Sequence, residues 1–109
     1  MVIELPAVIG AYFEADRARD ATAVSKCFAA GAVVHDDGHT HISRDAIRAW
    51  TEDYMAKFNS TAEPFAIAEE GGRTVVTSHA SGDFPGSPID LRYMFTLADH
   101  GISALEIKP

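Results

Sequence analysis

The segment from Ala32 to His41 contains the densest group of side chains that could carry out chemistry. It begins as an apolar run and then places three histidines and two aspartates within seven residues: His35, Asp36, Asp37, His39 and His41. A carboxylate at the end of a buried strand is partly desolvated, which raises its pKa toward the range useful for a general base. Asp36 stands at that position, so we expect it to face a space between sheet and helices, where it could remove a proton next to a carbonyl.

The same segment leaves other interpretations open. In a regular strand His35 and Asp37 point away from the face of Asp36, but a bulge would bring one of them into the pocket instead. Asp36 itself could be a surface or capping residue. Imidazole and carboxylate groups also suit a divalent transition metal, although the spacing does not match the helical pair of an HExxH site.

Hydrophobic periodicity and turn residues define the elements that must position this segment. They predict helices over Leu5 to Ala18, Ala21 to Phe28 and Arg44 to Phe58, with Asp20 and Ser43 as N-caps and Gly31 ending the second helix. They predict strands over 32–36, 63–70, 73–82, 89–98 and 102–108, with a loop over 37–42 and a Gly71-Gly72 hairpin turn. Helices followed by hairpin-linked strands favour an α+β domain, with helices on one face of a mostly antiparallel sheet and a pocket between them.

Several side chains on these elements are candidates for the wall of that pocket. The predicted set is Asp16, His35, Trp50, Tyr54, His79, Phe84, Tyr93 and Phe95. The aromatic members could equally be ordinary core, and His79 could be an exposed sheet residue. On the strand over 89–98, Leu91, Tyr93, Phe95 and Leu97 share the inner face. The outer face carries Arg92, Met94 and Thr96, with nothing in the sequence to cover them, which favours a partner surface.

Length and charge exclude several function classes. The 109 residues fit one domain over 1–109, and the single cysteine, Cys27, excludes an intrachain disulfide. With 16 acidic and 9 basic residues the net charge is −7, which disfavours nucleic acid and anionic membrane surfaces as partners. There is no signal-peptide pattern and no run of about 20 apolar residues, so we expect a soluble cytoplasmic protein.

Two stretches, CFAAGAVVHDD and RDAIRAW, together with the aromatic residue on the first helix, carry a family resemblance. They resemble the SnoaL-like polyketide cyclases and the ketosteroid isomerases of the nuclear transport factor two-like superfamily. That resemblance implies a cone-shaped, cystatin-like α+β barrel, in which three N-terminal helices pack in the concave face of a curved mixed sheet. It also implies a homodimer, no metal or cofactor, and a small hydrophobic or carbonyl-bearing ligand.

The resemblance extends to a spacing. In the isomerases a helix-one tyrosine precedes the catalytic aspartate by a fixed interval, and here Asp36 follows Tyr12 by that same interval of 24 residues. This implies Asp36 as general base and Tyr12 as the donor to an oxyanion. The second acidic donor of the isomerases falls near Tyr93, which is a phenol. The implied chemistry is therefore isomerase, cyclase or lyase type rather than steroid isomerisation. The alternative is a non-catalytic ligand-binding or dimerisation module on the same fold.

Overall fold

A computed structural model describes residues 3–109, in which three helices pack against a mixed sheet, as predicted, but the sheet has six strands instead of the five expected. The helices are α1 (Ala7–Arg17), α2 (Ala21–Lys26) and α3 (Arg44–Lys57). The strands are β1 (Phe28–Asp36), β2 (His39–Ile42), β3 (Ser60–Glu70), β4 (Arg73–Gly82), β5 (Ile89–Ala98) and β6 (Gly101–Lys108). Their order across the sheet is β2-β1-β6-β5-β4-β3, and every pairing is antiparallel except the parallel pair β1–β6.

The helix starts follow the predicted capping chemistry. The Asp20 carboxylate accepts a hydrogen bond from the Ala23 backbone N–H at 3.0 Å, and the Ser43 hydroxyl accepts one from Ala46 at 3.4 Å. These side chains satisfy N–H groups that the first helical turn leaves free. None of the helices within residues 3–109 is long and apolar enough to cross a membrane.

The core lies between the helices and the concave face of the sheet. Its largest fully buried apolar side chains come from both layers: Phe28, Phe95, Ile9, Ile47, Ile102, Leu105, Val24, Val34 and Val76. Side chains alternate along the regular stretches of the strands, so Ala32 and Val34 on β1, and Tyr93 and Phe95 on β5, reach this core. The residues between them lie on the outer face.

The predicted end of the second helix was wrong. Phe28, expected as its last residue, begins β1, and Gly31, expected as its C-cap, lies inside that strand. The helix ends early because the chain pairs with the last strand from this point. Phe28 pairs with Ile102, and the Cys27 carbonyl accepts a hydrogen bond from the Ile102 N–H at 2.9 Å. The pairing of β1 with β6 then shifts register between Phe28 and Val33, a stretch that contains small residues.

The predicted loop over 37–42 was also wrong, because it is a tight turn followed by β2. Asp37 and Gly38 have φ angles of 51° and 75°, which is typical of the two-residue hairpin turn that Asp-Gly sequences favour. β2 then returns along β1, with His39 opposite Asp36 and Ile42 opposite Val33. The turn therefore adds β2 beside β1 as the edge strand of the sheet.

Two further expectations about strand faces fail. Met94, expected to be uncovered on the outer face, is only 4% exposed and pairs laterally with the equally buried Val75 and with Glu106. Leu97, expected inside, is 38% exposed because β5 shifts register against β6 between Thr96 and Leu97. Phe65 and Ile67 on the edge strand β3 are also exposed, at 50% and 41%, beside a register shift between Pro64 and Ala66.

The junction of β6 with the start of β1 gives a stability test. Gly101 has φ +125°, and a Cβ added there would lie 2.7 Å from the Cys27 carbonyl oxygen. We expect Gly101→Ala to lower the free energy of unfolding by about 1–3 kcal/mol, through strained backbone and a clash. Gly10, inside α1 with nothing within 4 Å of such a Cβ, is the matched control. Gly10→Ala should stabilise by about 0.5–1 kcal/mol through helix propensity. Urea unfolding of both variants checks this, and equal effects would contradict it.

Candidate functional site

Strand register places Asp36 in line with Tyr93 across the concave face. Asp36 pairs with Ile107 on β6, and Ile107 pairs with Tyr93 on β5. The three side chains share one face, and two strand spacings put the Cα atoms of Asp36 and Tyr93 about 10 Å apart. The regular strand thus directs Asp36 toward the helices, as the alternation predicted.

Helix α1 places Tyr12 over this row. Its ring packs edge-on against Phe28, Tyr93 and Phe95, with ring centroids 5.9, 6.3 and 5.6 Å away. Tyr12 is 4% exposed, and no residue in the range 3–109 forms a hydrogen bond with its hydroxyl. A buried phenol without a partner is a ready donor to a bound ligand.

Tyr12 and Asp36 open into the same cavity, whose volume is about 880 Å³. α3 and its C-cap residue supply three aromatic wall residues four positions apart: Trp50 and Tyr54 from the helix, and Phe58 directly after it. Eight of the predicted site residues line the cavity: Tyr12, Asp16, His35, Asp36, Trp50, Tyr54, Phe84 and Tyr93. A cavity of this size, mostly apolar with a few converging polar groups, has the character of a small-molecule site.

Burial raises the pKa of Asp36 above its ordinary value. A hydrogen-bonding interaction with the Trp50 side chain opposes this rise, the neighbouring Asp37 adds to it, and His41 and His39 lower it slightly. Trp50 is itself fixed by the ring of His41, stacked on it at a centroid distance of 5.4 Å and an angle of 26°. The general-base candidate is therefore half-buried and held beside a positioned indole.

Asp16 is a second carboxyl group in the cavity, one helical turn after Tyr12. Burial raises its pKa, and only Arg19 lowers it. The Arg19 guanidinium donates its hydrogen bonds elsewhere, to the backbone carbonyl oxygens of Met55 and Phe58 at the end of α3. Asp16 therefore has a nearby positive charge but no direct partner for its carboxyl group among residues 3–109.

The tyrosines of the cavity are held in their protonated form. Burial raises the pKa of Tyr12, Tyr54 and Tyr93, and the charges of Asp16 and Asp36 raise all three further. The Tyr54 hydroxyl lies 3.1 Å from the Ser60 hydroxyl, which partly opposes its shift. All three phenols are consequently hydrogen-bond donors rather than proton acceptors at neutral pH.

Two predicted site residues lie outside the cavity wall. Phe95 is fully buried in the core. His79 is exposed on the outer face of β4, where its Nδ1 lies 2.9 Å from an Asp90 carboxylate oxygen. His35 borders the cavity, but its imidazole is exposed and bonds to the Thr40 hydroxyl across the β1–β2 hairpin at 3.0 Å.

The histidines of the first segment do not assemble a ligand set. His39 borders the cavity and His41 stacks on Trp50. Across the part of the chain that the structure describes, no group of three or more histidine, cysteine, aspartate or glutamate side chains could hold a metal ion.

Sequence reasoning missed some wall residues. Phe58, Ser60 and Leu91 line the cavity, as do the C-terminal residues Ile107 and Lys108. The spacing of Phe58 to Trp50 and Tyr54 was visible on helix three and could have identified it. Ser60 gave no signal, because it stands before the strand that was predicted to begin at Glu63.

Comparisons with known proteins identify the family and the fold. A family model described as the SnoaL-like domain matches residues 9–102. A protein from Sinorhizobium meliloti provisionally described as a polyketide cyclase is 39% identical, covers 95% of both chains and superposes with a TM-score of 0.90. No curated protein matches the chain.

More distant structures share the fold. A Catenulispora acidiphila protein with a ketosteroid isomerase-like fold, in complex with trimethylamine, is 18% identical over 97% of this chain and 87% of its own, with a TM-score of 0.84. A cystatin-fold protein from Novosphingobium aromaticivorans is 16% identical over 94% and 96% of the two chains, with a TM-score of 0.77. The predicted cone-shaped, cystatin-like α+β fold is thus confirmed.

The buried carboxyl groups make a pH-dependent stability prediction. A carboxyl whose pKa is raised on folding binds its proton more tightly in the folded state, so stability falls as pH rises through that raised pKa. We expect Asp36→Asn and Asp16→Asn each to raise the melting temperature by a few degrees at pH 7, and by less near pH 4. Asp99→Asn, at an exposed turn, is the control. Melting curves from pH 4 to 8 check this, and a gain that does not grow with pH would contradict it.

Proposed function

The chain belongs to the SnoaL-like domain family, and from that premise we propose that it is a cofactor-independent acid–base enzyme. Its substrate is a small hydrophobic, carbonyl-bearing molecule, and its reaction is of the isomerase, cyclase or lyase type. The observation that carries this proposal is the opening of Asp36 and the unpartnered Tyr12 hydroxyl into one cavity.

The proposed first step is removal of a proton from the carbon next to the substrate carbonyl. The Asp36 carboxylate takes this proton, and the electron pair left on carbon moves to the carbonyl oxygen. The Tyr12 O–H donates a hydrogen bond to that oxygen as its negative charge develops, inside a cavity that strengthens the interaction. Because the pKa of Tyr12 lies well above its ordinary value, the phenol keeps its proton and stabilises the enolate as a hydrogen-bond donor.

The family relative and the cavity support this class of reaction. The Sinorhizobium meliloti protein, similar over nearly its whole length, has a description that names a cyclase of polyketides, which are carbonyl-rich molecules. A volume of about 880 Å³ accommodates a ligand with more than one ring. The aromatic walls from α3 offer flat surfaces on which such rings can pack.

A second candidate is a ligand-binding module without catalysis. It is favoured by the dominance of aromatic and apolar residues in the wall. Trp50, the only tryptophan of the chain, lies in that wall, so a bound ligand changes its fluorescence. Binding without proton abstraction would identify this class.

A proton-exchange experiment separates the two candidates. A naphthyl methyl ketone in D₂O should gain deuterium next to its carbonyl faster with the protein than without it, as followed by NMR. Asp36→Asn should slow the exchange about 100-fold or more, because the base is lost. Tyr12→Phe should slow it about 10- to 1000-fold, because the enolate loses its donor. The rate should rise with pH through the raised pKa of Asp36, since the base must be ionised.

The control for this experiment is Asp99→Asn, which should exchange like the unaltered protein. If the ketone alters Trp50 fluorescence and no exchange is accelerated, the catalytic proposal fails and the binding module remains. If Asp36→Asn exchanges at the full rate, Asp36 is not the base.

We also propose that the chain is a homodimer that associates through the outer face of the sheet. That face holds a network of surface ion pairs, in which Arg92 bonds to Glu70 at 3.0 Å and Arg73 to Glu106 at 3.1 Å. Light scattering after size-exclusion chromatography should give twice the mass of 11.7 kDa, and Arg92→Glu should shift the population toward monomer. A single-chain mass at all concentrations would overturn the proposal.

A further inference from the structure

The two edge strands of the sheet differ in length. β2 has four residues, whereas β3 has eleven. β3 pairs with β4 on one side only, so one row of its backbone N–H and C=O groups faces no other strand within residues 3–109. Such a row is a template on which another extended segment can pair. The first three residues of β3 line the large cavity, and the remaining residues, 63–70, form a surface that we call the β3 edge.

Apolar side chains are exposed along the β3 edge. Phe65 is half exposed and Ile67 nearly so, and the alanines on either side of Ile67, Ala66 and Ala68, are exposed as well. Ile67 pairs with Val76, which is completely buried, and cross-strand partners share one face of a sheet. The apolar inner face therefore continues past the buried core to the rim of the sheet.

The second half of the β3 edge is regular. Its pairs with β4 run without interruption from Ala66 opposite Thr77 to Glu70 opposite Arg73. Proline and register shifts are features that commonly protect an edge strand, and here both occur earlier, at Pro64 and directly after it. The last five residues of β3 are consequently extended and open to pairing.

Uncompensated negative charges flank the apolar stretch. The strand carries three glutamates and no basic residue. Glu70 is paired with Arg92 at 3.0 Å, whereas Glu69 accepts a hydrogen bond from the neutral Thr74 hydroxyl at 2.8 Å. Glu63 forms no ion pair in the part of the chain that the structure describes. Glu63 and Glu69 thus leave one free negative charge at each end of the exposed apolar residues.

A smaller cavity, of about 460 Å³, lies beside the Glu63 end, between α1 and β3. Its wall includes the apolar side chains of Leu5, Phe13 and Pro64, and two carboxylates, Glu14 and Glu63, against one guanidinium, Arg17. A long basic side chain has an apolar stem and a charged head, so it suits a cavity that is partly apolar and net negative.

The charges disfavour a second copy of this chain as the partner of the β3 edge. In an antiparallel pair of two such edges, the register that sets Phe65 of each copy opposite Ile67 of the other also sets Glu63 opposite Glu69. This happens at both ends of the apolar contact, and like charges directly opposite each other destabilise a strand pair. A segment with basic residues at those two positions gains attraction where a second copy meets repulsion.

We propose that the β3 edge is a docking site for an extended, basic segment of another protein, which adds to the sheet as a further strand. Main-chain hydrogen bonds to β3 hold the segment. Its apolar residues lie against Phe65 and Ile67, and two lysine or arginine residues six positions apart lie against Glu63 and Glu69. The flexible stem of lysine accommodates the register shift near Pro64. This site lies outside the large cavity and takes no part in the proposed reaction.

A pair of short peptides tests the proposal. The probe is Lys-Thr-Val-Thr-Val-Thr-Lys with blocked ends, whose symmetry lets it pair in either strand direction. The control peptide has glutamate in place of both lysines. We expect the lysine peptide to bind at least about 10-fold more tightly than the control, as followed by NMR titration of the full chain. This preference should shrink when the salt concentration rises from about 0.05 M to about 0.5 M, because the charges are exposed.

Backbone hydrogen exchange locates the peptide. In the free protein, the amides of β3 that point to the open edge should exchange rapidly, because no strand protects them. With the lysine peptide bound, exchange at those amides between Ala66 and Glu70 should slow in proportion to the fraction of protein that is occupied. This measurement uses the unaltered protein, so it needs no variant.

A charge reversal on the protein gives the matching test. We expect Glu63→Lys to weaken binding of the lysine peptide about 5- to 20-fold and to strengthen binding of the glutamate peptide. The Glu63 side chain is exposed, so the change should leave the fold intact. Asp99→Lys, in the exposed turn after β5, makes the same change in net charge and should alter neither affinity by more than about 2-fold.

Several results would overturn the proposal: binding of neither peptide, equal binding of both, or an unaltered preference in Glu63→Lys. Binding of the lysine peptide without slower exchange in β3 would place the peptide elsewhere and overturn it too. Protection of the β3 amides that grows with protein concentration in the absence of peptide would identify a second copy as the occupant instead. Deuterium uptake by the naphthyl ketone is independent of all these outcomes, so the proposed function is decided separately.

Discussion

The parallel pairing of β1 with β6 is the constraint on which the site depends. It joins the helical half of the chain to its last strand, with Val34 opposite Leu105 and Asp36 opposite Ile107. Because side chains alternate, a slip of one residue would turn Asp36 to the outer face and bury His35 in its place. Val34, completely buried two residues before Asp36, resists that slip. The apolar core thus fixes the direction of the carboxylate, although burial disfavours its charged form.

The cavity brings together several acidic side chains whose ionised forms are disfavoured. Asp16, Asp36 and three phenols share one partly desolvated space, and burial is the largest cause of the raised pKa of each. The positive charges nearby are either bound to backbone carbonyls, as Arg19 is, or paired at the rim, as Lys108 is. An anionic ligand would add to the repulsion, whereas a neutral ligand that develops charge only during reaction meets donors already in place. Stability is lost at this site for the same reason that it suits acid–base chemistry.

Features that depend on neighbouring residues were predicted correctly from the sequence. Features that depend on pairing with strands distant in the chain were not. The Gly71-Gly72 hairpin, the limits of β4 and β5, and the Asp20 and Ser43 caps depend on neighbouring residues, and all are confirmed. Phe28 was misplaced because its partner, Ile102, is more than seventy residues away. Met94 lies on the predicted outer face but is buried there, between Val75 and Glu106 on the adjacent strands, and these lateral neighbours are also distant in sequence. The Asp37-Gly38 turn was predictable from its local sequence, because Asp-Gly favours a two-residue hairpin turn.

Residues of the cavity wall were predictable where the hydrophobic pattern of their helix or strand identifies its inner face. Trp50, Tyr54 and Asp16 lie on helices whose spacing reveals their inner face, whereas the position of His79 on an alternating strand with no clearly apolar side gave no direction. In the structure His79 lies on the outer face beside the Asp90 carboxylate of β5, a contact that the alternation of β4 alone could not predict. Asp16 shows the complementary limit. Periodicity places it in the cavity, but only the structure shows that the Arg19 guanidinium bonds to the Met55 and Phe58 carbonyl oxygens at the end of α3 and not to the Asp16 carboxyl group. The surroundings of Asp16 therefore depend on a tertiary contact made by a residue three positions away.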